Sequence, residues 1–233
     1  YDGHMIWYPS PNFGERTLPI TMLVLHYTGM KSGPEAVEWL ANPASKVSAH
    51  YVVEEDGQII HMVREEHRAQ HAGVSYWRGV TDCNSASIGI EIVNPGHEWG
   101  YRPFPEEQMA ALVPLVAEIT RTYGIPARNV VGHSDVAPAR KEDPGELFDW
   151  ERLAKVGLAI PRPTKNLVDP GWGDAAFLLA LERYGYGIAD GPKAVVAFQR
   201  RFRPERVDGI IDGQCRAILW SLLLEHEGGP AIG

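Results

Sequence analysis

Short apolar runs rich in β-branched residues recur along the first part of the chain, with polar segments between them. They lie at residues 22–27, 50–53, 59–63, 88–93 and 130–131. Runs of this length, bounded by turn residues, are typical of strands in the interior of a sheet. We therefore expect these five segments to be strands of one sheet. Asp56-Gly57 predicts a tight hairpin between the second and the third, because both residues tolerate the positive φ of such a turn.

A helical spacing replaces this pattern over residues 105–123. The apolar positions recur every three or four residues, at Met109, Leu112, Val113, Val116, Ile119 and Tyr123. This spacing predicts an amphipathic helix that Gly124 ends and that Pro114 bends. Shorter helices are expected at residues 34–40 and 150–156. Strands interleaved with helices indicate an α/β domain over residues 1–158, with a central mixed β-sheet flanked by helices.

The composition changes after residue 158. Residues 159–173 contain three prolines and few apolar residues, which predicts a semi-rigid linker. Residues 174–233 predict a small all-α domain of three helices. Gly185 is expected to end the first of them, and the expected starts are Asp174, Asp190 and Asp212. We expect the first domain to fold and act without this C-terminal domain, because the candidate chemistry described below precedes the linker.

The overall composition is that of an ordinary globular protein with an acidic balance. A formal net charge of −8 argues against nucleic acid as a partner, because neutralising phosphates requires a surplus of Lys and Arg. No apolar run approaches the roughly 18 residues of a transmembrane helix. Cys83 and Cys215 are too few and too far apart for a disulfide framework or a metal-binding pair, so we expect two free thiols. A monomer is the expected state.

Two histidines and an aspartate stand where rigid elements end. His26 lies at the end of the run at 22–27, and His133 follows the run at 130–131. Asp143 comes ten residues after His133, in a turn fixed by Pro144. Two imidazoles and one carboxylate match the three-ligand set of a catalytic zinc, whose fourth position is left for water. A lone histidine in such a place is more often structural, so the combination of the three residues favours a metal site.

Glu91 and Lys141 are candidates for the chemistry beside that metal. Glu91 lies inside the apolar run at 88–93, where poor solvation raises a carboxyl pKa toward the range useful for proton transfer. A buried ion pair is the alternative for Glu91. Lys141 precedes Asp143 by two residues and is suited to stabilise an oxyanion. A solvated surface lysine is the alternative for Lys141.

Other polar and aromatic residues are candidates for contact with a substrate. His71 and Asn84 offer hydrogen-bonding groups in polar segments between the strands. Three tryptophans are suited either to wall a cleft or to fill the core, namely Trp39, Trp77 and Trp99.

Five motifs between Leu25 and Gly145 carry a resemblance to a known family. They are Leu25-His26-Tyr27-Thr28, Ser48-Ala49-His50-Tyr51, His71-Ala72-Gly73, Ser87-Ile88-Gly89-Ile90-Glu91 and the run from Gly132 to Gly145. These motifs resemble the type 2 N-acetylmuramoyl-L-alanine amidases. The resemblance implies zinc-dependent hydrolysis of the amide between the N-acetylmuramoyl or anhydromuramoyl lactyl group and L-alanine, in peptidoglycan or muropeptides. It implies that zinc is held by His26, His133 and Asp143, with Glu91 and Lys141 as catalytic partners.

The same resemblance implies a fold and a set of substrate contacts. The fold is a central mixed sheet with helices packed on it, shared with peptidoglycan-recognition proteins. The residues expected to bind substrate are Tyr27, His50, Tyr51, His71, Ala72 and Asn84. Gln70 stands where many members of the family carry Trp, so one wall of the cleft is expected to differ.

The C-terminal part resembles three-helix peptidoglycan-binding domains. The motifs are Tyr184-Gly185-Tyr186, Asp190-Gly191-Pro192, Ala197-Phe198-Gln199 and Val207-Asp208-Gly209-Ile210. A wall-binding tail favours the periplasm or outer envelope over the cytoplasm, and a purely structural packing role is the alternative for these helices. Two other functions stay open for the whole chain, a non-catalytic peptidoglycan recognition module and a zinc peptidase that cuts within the stem peptide. The presence of all five chemical residues argues against the first.

Overall fold

The structure, a computed structural model, describes residues 5–227. Residues 1–4 and 228–233 of the two predicted domains lie outside the described residues. The strands are β1 (Ile6–Trp7), β2 (Phe13–Glu15), β3 (Met22–Tyr27), β4 (Tyr51–Val53), β5 (Ile59–His61), β6 (His67–Ala69), β7 (Ser87–Ile92) and β8 (Val130–Gly132). The helices are α1 (Gly33–Ala41), α2 (Cys83–Ala86), α3 (Gly96–Trp99), α4 (Glu106–Tyr123), α5 (His133–Val136), α6 (Trp150–Ala154), α7 (Asp174–Tyr184), α8 (Gly191–Phe202) and α9 (Gly213–Glu227).

A six-stranded mixed sheet forms the centre of the molecule. The strand order is β1-β5-β4-β7-β3-β8, and β4, β7, β3 and β8 run parallel. β5 is antiparallel to β4, and β1 is parallel to β5. The five predicted strands and six predicted helices are all present, with ends displaced by a few residues at most. The sequence missed β1, β2, β6, α2, α3 and α5, because elements of two to four residues are too short to show a period.

The hairpin between β4 and β5 is confirmed, but its turn is longer than the tight turn that was predicted. Gly57 has a φ of 88°, and its N–H donates to the carbonyl of Glu54 at 2.9 Å. Asp56 keeps a negative φ, so only the glycine uses the left-handed region. A Cβ at Gly57 would also lie 2.8 Å from the carbonyl oxygen of Glu107, which excludes any larger residue.

Alternation along β3 separates the two faces of the sheet. Leu23 and Leu25 are buried on the face that packs against α4, which Gly124 ends with a φ of 64°. Met22, Val24 and His26 point to the opposite face, because successive residues of a strand point to opposite sides. Pro114 lies inside α4 as predicted. No helix among residues 5–227 has the length and apolar character needed to cross a bilayer.

The C-terminal helices begin close to the predicted residues. Asp190 and Asp212 accept hydrogen bonds from the backbone N–H groups of Lys193 and Cys215, at 3.1 and 2.9 Å. Asp174 is not the cap of α7, as was predicted, but its first helical residue, because Gly173 holds the capping position. Both cysteines are buried free thiols, as expected.

These helices share one apolar core with the sheet. The cluster joins residues of the first 160 positions to residues of α7, α8 and α9, among them Met22, Val24, Trp77, Val131, Val136, Phe177, Leu181, Tyr186, Phe198 and Ile218. The division into two domains stays a prediction. The shared core nevertheless argues against the expectation that the first domain folds without the second.

Removal of residues 161–233 should therefore unfold the protein rather than only weaken its binding to a wall. The deletion exposes large side chains such as Met22, Trp77 and Val131, each worth about 1.5–3 kcal/mol when buried. The three together lose about 5–9 kcal/mol, which is comparable to the whole stability of an ordinary domain. We expect an insoluble or non-cooperatively melting fragment by circular dichroism. A soluble fragment that melts within a few degrees of the full chain would contradict this expectation.

Candidate active site

The two predicted histidine ligands lie at the same edge of the sheet. β3, β7 and β8 are parallel, so their carboxyl ends meet there. His26 is in register with Glu91 on β7, and its neighbour Leu25 is in register with Gly132 at the end of β8. His133 follows Gly132 directly. The register therefore brings His26, Glu91 and His133 to one place, on the face opposite α4.

Three donor atoms converge at this point. The Nδ1 atoms of His26 and His133 are 2.9 Å apart, and each lies 3.1 Å from Oδ2 of Asp143. All three residues are buried, and they form the one group with metal-ligand spacing found among the described residues. Tetrahedral zinc with bonds of about 2.0–2.1 Å would separate its donors by roughly 3.3 Å, close to these distances.

The partner of His133 fixes which ring nitrogen faces the site. His133 Nε2 lies 3.1 Å from the carbonyl oxygen of Ala72. A carbonyl oxygen only accepts, so Nε2 carries the proton and, in the neutral ring, Nδ1 carries a lone pair. That lone pair is directed at His26 and Asp143.

A longer chain of hydrogen bonds fixes the proton of His26 in the same way. The hydroxyl of Ser87 donates to the carbonyl of Cys83, so its oxygen accepts from His71 Nε2 at 3.1 Å. His71 Nδ1 then has a lone pair and accepts from His26 Nε2 at 3.0 Å. His26 Nδ1 is left with a lone pair that points into the site. Partners that orient a ligand histidine through its second nitrogen are the rule in metal centres.

The donor set is therefore suited to a cation. Two lone pairs and a carboxylate oxygen meet without a proton to share, an arrangement that is repulsive unless a positive charge lies between them. Burial, followed by the proximity of His133, lowers the pKa of His26 to about 4, so its ring stays neutral at physiological pH. Neutral imidazoles and an ionised carboxylate are the protonation states that zinc ligands require.

Glu91 and Lys141 line the cleft beside the three donors. Oε2 of Glu91 is buried, and no hydrogen-bond partner for it exists in the described part of the chain. Burial, with the nearby negative charge of Asp143, raises the pKa of Glu91 well above its ordinary value. Lys141 is exposed and lowers that pKa through its charge without forming an ion pair with Glu91 among the described contacts. The buried ion pair considered as the alternative for Glu91 is thus not observed.

The cleft around these residues has a volume of about 470 Å³, within the range of small-molecule sites. Tyr27, Trp39 and Gln70 line it, together with Arg140. Trp39 is thus at the cleft, as one of the predicted alternatives has it, whereas Trp77 is a core residue only 2% exposed. Trp99 does not line the cleft; it is 48% exposed and lies under the ammonium of Lys31 at 4.4 Å.

Four of the residues predicted to bind substrate lie outside the cleft lining. Tyr51 is in register with Ile90, so it points to the face of α4, where its hydroxyl donates to Glu65 at 2.7 Å. His50 is fully buried, with ring contacts to the backbone of Gly89 and His67. Ala72 and Asn84 are also buried.

The structure gives Ala72, Asn84 and His71 supporting positions instead. Asn84 Oδ1 accepts from the N–H groups of His71 and Ala72, at 2.9 and 2.7 Å. His71 reaches the cleft, but His26 and Ser87 occupy both of its ring nitrogens. These residues therefore hold the donor histidines in place. Of the six predicted substrate contacts, Tyr27 is the one whose position fits that role directly.

Sequence reasoning assigned no individual role to Ser87, Gly89 and Arg140, although all three lie within the family-like motifs. Gly89 interrupts an apolar run, a signal of close approach by another group. A Cβ at that position would lie 2.5 Å from the ring of His71, so only glycine leaves room for this imidazole. Arg140 donates to the carbonyls of Ala72 and Val74 at the cleft rim. No sequence signal distinguishes it from an ordinary surface arginine.

Comparison with known proteins gives consistent matches. The family model described as N-acetylmuramoyl-L-alanine amidase matches residues 16–146. The N-acetylmuramoyl-L-alanine amidase AmiD of Escherichia coli (strain K12) is 38% identical, over 89% of this chain and 83% of AmiD. The 1,6-anhydro-N-acetylmuramyl-L-alanine amidase AmpD of Haemophilus influenzae is 36% identical, over 61% of this chain and 86% of AmpD.

Solved structures agree with these matches. The complex of E. coli AmiD with the substrate anhydro-N-acetylmuramic acid-L-Ala-D-gamma-Glu-L-Lys has a TM-score of 0.80 and 33% identity, covering 91% of this chain and 93% of that one. AmpDh3 from Pseudomonas aeruginosa has a TM-score of 0.79 and 31% identity, covering 97% and 98%.

Replacement of Glu91 by Gln should stabilise the metal-free protein at neutral and alkaline pH. A carboxyl with a raised pKa weakens the folded state once the pH exceeds its unfolded value of about 4.3, and the loss grows until the pH passes the folded pKa. We expect Glu91→Gln to melt a few degrees above the wild type at about pH 8 and level with it at about pH 3.5. Calorimetry after chelation measures this, with exposed Glu38→Gln as the control. Equal melting at both pH values would show that Glu91 is adequately solvated.

Proposed function

Because the chain belongs to the N-acetylmuramoyl-L-alanine amidase family, it is an amidase of peptidoglycan or muropeptides, and we propose that it acts through zinc held by His26, His133 and Asp143. The reaction is hydrolysis of the amide between the lactyl group and L-alanine. The observation that supports the metal is the convergence of Nδ1 of His26, Nδ1 of His133 and Oδ2 of Asp143 within 3.1 Å of one another, while both Nε2 atoms contact other partners. Zinc is the metal whose donor preference this set matches.

Zinc bound there supplies Lewis acidity toward water and toward an amide carbonyl. We assign the proton transfers to Glu91. Its Oε2 has no hydrogen-bond partner within residues 5–227, so it is available to take a proton from the attacking water and deliver it to the leaving amine of L-alanine. The pKa of Glu91 is raised by burial, which makes the carboxylate a stronger base than a solvated one.

We assign oxyanion stabilisation to Lys141. Its ammonium lines the same cleft and acts electrostatically on Glu91 and His26. A cation there attracts the negative charge that develops on the carbonyl oxygen during attack. Because Lys141 is exposed, it can reach this charge without losing its own solvation in the resting state.

We propose that anhydromuramyl peptides are substrates of this chain. The supporting observation is that the solved AmiD complex contains such a peptide and that the AmpD relatives carry this substrate class in their names. Mass spectrometry of the fragments from anhydromuropeptides and from reducing muropeptides compares the two substrate classes. Release of intact stem peptide from L-alanine onward identifies the lactyl amide as the bond that is cut.

We also propose that the enzyme acts in the periplasm or outer envelope and that its C-terminal helices contact the wall. AmiD aligns over 89% of this chain and AmpD over 61%, so the C-terminal helices are shared with AmiD. Sedimentation of the full chain with insoluble peptidoglycan tests the contact. Failure to sediment, with normal activity on soluble muropeptides, would contradict the contact with the wall.

Alanine substitutions of Asp143 and Lys141 should affect zinc content and turnover differently, although the two residues are only two positions apart. Asp143→Ala removes one of three donors, so both zinc content and activity should disappear. Lys141→Ala should keep its zinc and lose turnover by about 10²-fold with little change in KM, because its charge acts mainly on the transition state. Glu91→Ala should behave like Lys141→Ala. Atomic emission and steady-state kinetics measure the two properties side by side.

The matched control is Lys155→Ala, which removes an exposed lysine at the end of α6. It should retain both zinc and turnover. A Lys141 variant with near-normal turnover would remove this residue from the mechanism. Stoichiometric zinc in Asp143→Ala would mean that the third ligand is misassigned.

A further inference from the structure

The short helix α5 controls two of the three proposed metal ligands. His133 is its first residue. The N–H of Ser134, the second residue, donates to the backbone carbonyl of Asp143 at 2.9 Å. A shift of this single turn would therefore displace the His133 ring and the Asp143 backbone together. A helix of one turn has too few internal hydrogen bonds to hold its own orientation.

Asp135, on the same turn, accepts one hydrogen bond at each of its carboxylate oxygens. Its Oδ2 accepts from the N–H of Gly132 at 2.8 Å, and its Oδ1 accepts from the hydroxyl of Tyr186 at 2.7 Å. Asp135 is 2% exposed and Tyr186 is 0% exposed, so neither can exchange its partner for bulk water. Hydrogen bonds to a carboxylate in such surroundings are among the stronger ones in proteins.

Tyr186 is itself held firmly. It lies just after α7, where its N–H donates to the carbonyl of Leu181 at 3.2 Å. Its backbone pairs with Trp77, and the two rings meet edge to face with centroids 5.0 Å apart. The loop that contains Trp77 also reaches α5, since the N–H of Tyr76 donates to the carbonyl of Val136 at 2.8 Å. The hydroxyl of Tyr186 is thus a fixed point against which α5 is aligned.

The backbone that precedes α5 is tightly packed against the loop that contains Asp143. A Cβ at Gly132 would lie 2.8 Å from Cδ of Pro144, the residue after Asp143. The backbone before α5 and the loop that carries Asp143 are therefore in close contact. Small rotations of α5 cannot be absorbed there without moving Asp143.

We propose that Tyr186 is a positioning residue for the amidase: through Asp135 its hydroxyl sets the orientation of α5 and hence the donor atoms of His133 and Asp143. This inference rests on the proposed zinc site. It gives the C-terminal helices a part in metal binding that is separate from any contact with peptidoglycan. Tyr186 does not line the cleft, so its effect reaches the substrate only through the ligands.

The test is Tyr186→Phe, which removes one oxygen and keeps the ring in the core. Loss of a partner that orients ligands typically lowers metal affinity by 10–100-fold, so we expect zinc affinity, measured by chelator competition, to fall by about 10-fold or more. The absorption spectrum of the cobalt-substituted protein should change in shape, and kcat should fall while KM stays near the wild-type value. A zinc affinity within twofold of the wild type, with an unchanged cobalt spectrum, would overturn the proposal.

Tyr123→Phe is the matched control. Its hydroxyl also donates to a carboxylate, Glu65, at 2.6 Å, but at the end of α4 and away from the donor residues. Both variants should fold and melt cooperatively when metal-free, and only Tyr186→Phe should lose zinc affinity. Equal losses of zinc affinity in the two variants would mean that general destabilisation is the cause, which would also overturn the proposal.

Asp135→Asn provides a second, independent variant if Tyr186→Phe folds poorly. It keeps the size of the side chain but can no longer accept two hydrogen bonds in the same geometry. It should weaken zinc binding to at least a similar degree, and the double variant should lose no more than Asp135→Asn alone, because the Tyr186 hydroxyl acts through Asp135. Normal zinc affinity in Asp135→Asn contradicts the inference. If the wild type itself binds no zinc, the proposed metal site fails; if it does and the variants equal it, the positioning role alone fails.

Discussion

The site depends on the protons at Nε2 of His26 and Nε2 of His133, on the side of each ring that faces away from Asp143. The carbonyl oxygen of Ala72 accepts the Nε2 proton of His133. His71 accepts the Nε2 proton of His26 and donates to Ser87, which in turn donates to Cys83. Both Nδ1 lone pairs therefore face Asp143. If either proton moved to Nδ1, one donor would be lost and a hydrogen bond would replace it. The segment His71-Ala72 is in turn held by Asn84. A segment that supplies no metal ligand of its own thus determines which ring nitrogens face the centre.

The sheet supplies the rest of the constraint through register. His26 and Glu91 are paired across two parallel strands, so a ligand and the proposed proton carrier share one face and one edge. α4 covers the other face, and the C-terminal helices cover the apolar part of the active-site face beside the site. Glu91 keeps a buried oxygen that no group in the described part of the chain contacts by a hydrogen bond, a local cost that the surrounding core must offset. The packing that stabilises the fold therefore also keeps Glu91 poorly solvated and reactive.

The sequence was sufficient for the long elements and for the donor set. The apolar runs of β3 and β7 and the helical period of α4 are strong local signals, and His26, His133 and Asp143 stand at element ends where they can meet. The sequence was insufficient where the pairing of distant strands decides which face a side chain points to. Tyr51 belongs to a family-like motif, yet pairing with Ile90 turns it to the far face. His71 has the chemistry of a substrate contact, but its two ring nitrogens are hydrogen-bonded to His26 and Ser87. Likewise, the proline-rich segment at residues 159–173 suggested two separate domains, whereas the packing shows one apolar core shared by the sheet and the C-terminal helices.

The central claim is that one metal ion sits between Nδ1 of His26, Nδ1 of His133 and a carboxylate oxygen of Asp143. Anomalous diffraction from crystals of the zinc-loaded protein, collected on both sides of the zinc absorption edge, locates such an ion directly. The account predicts a single strong anomalous peak about 2.0–2.2 Å from these three atoms, with the Nε2 contacts to His71 and Ala72 intact. A peak at another group, or ligation through Nε2 of either histidine, would contradict it.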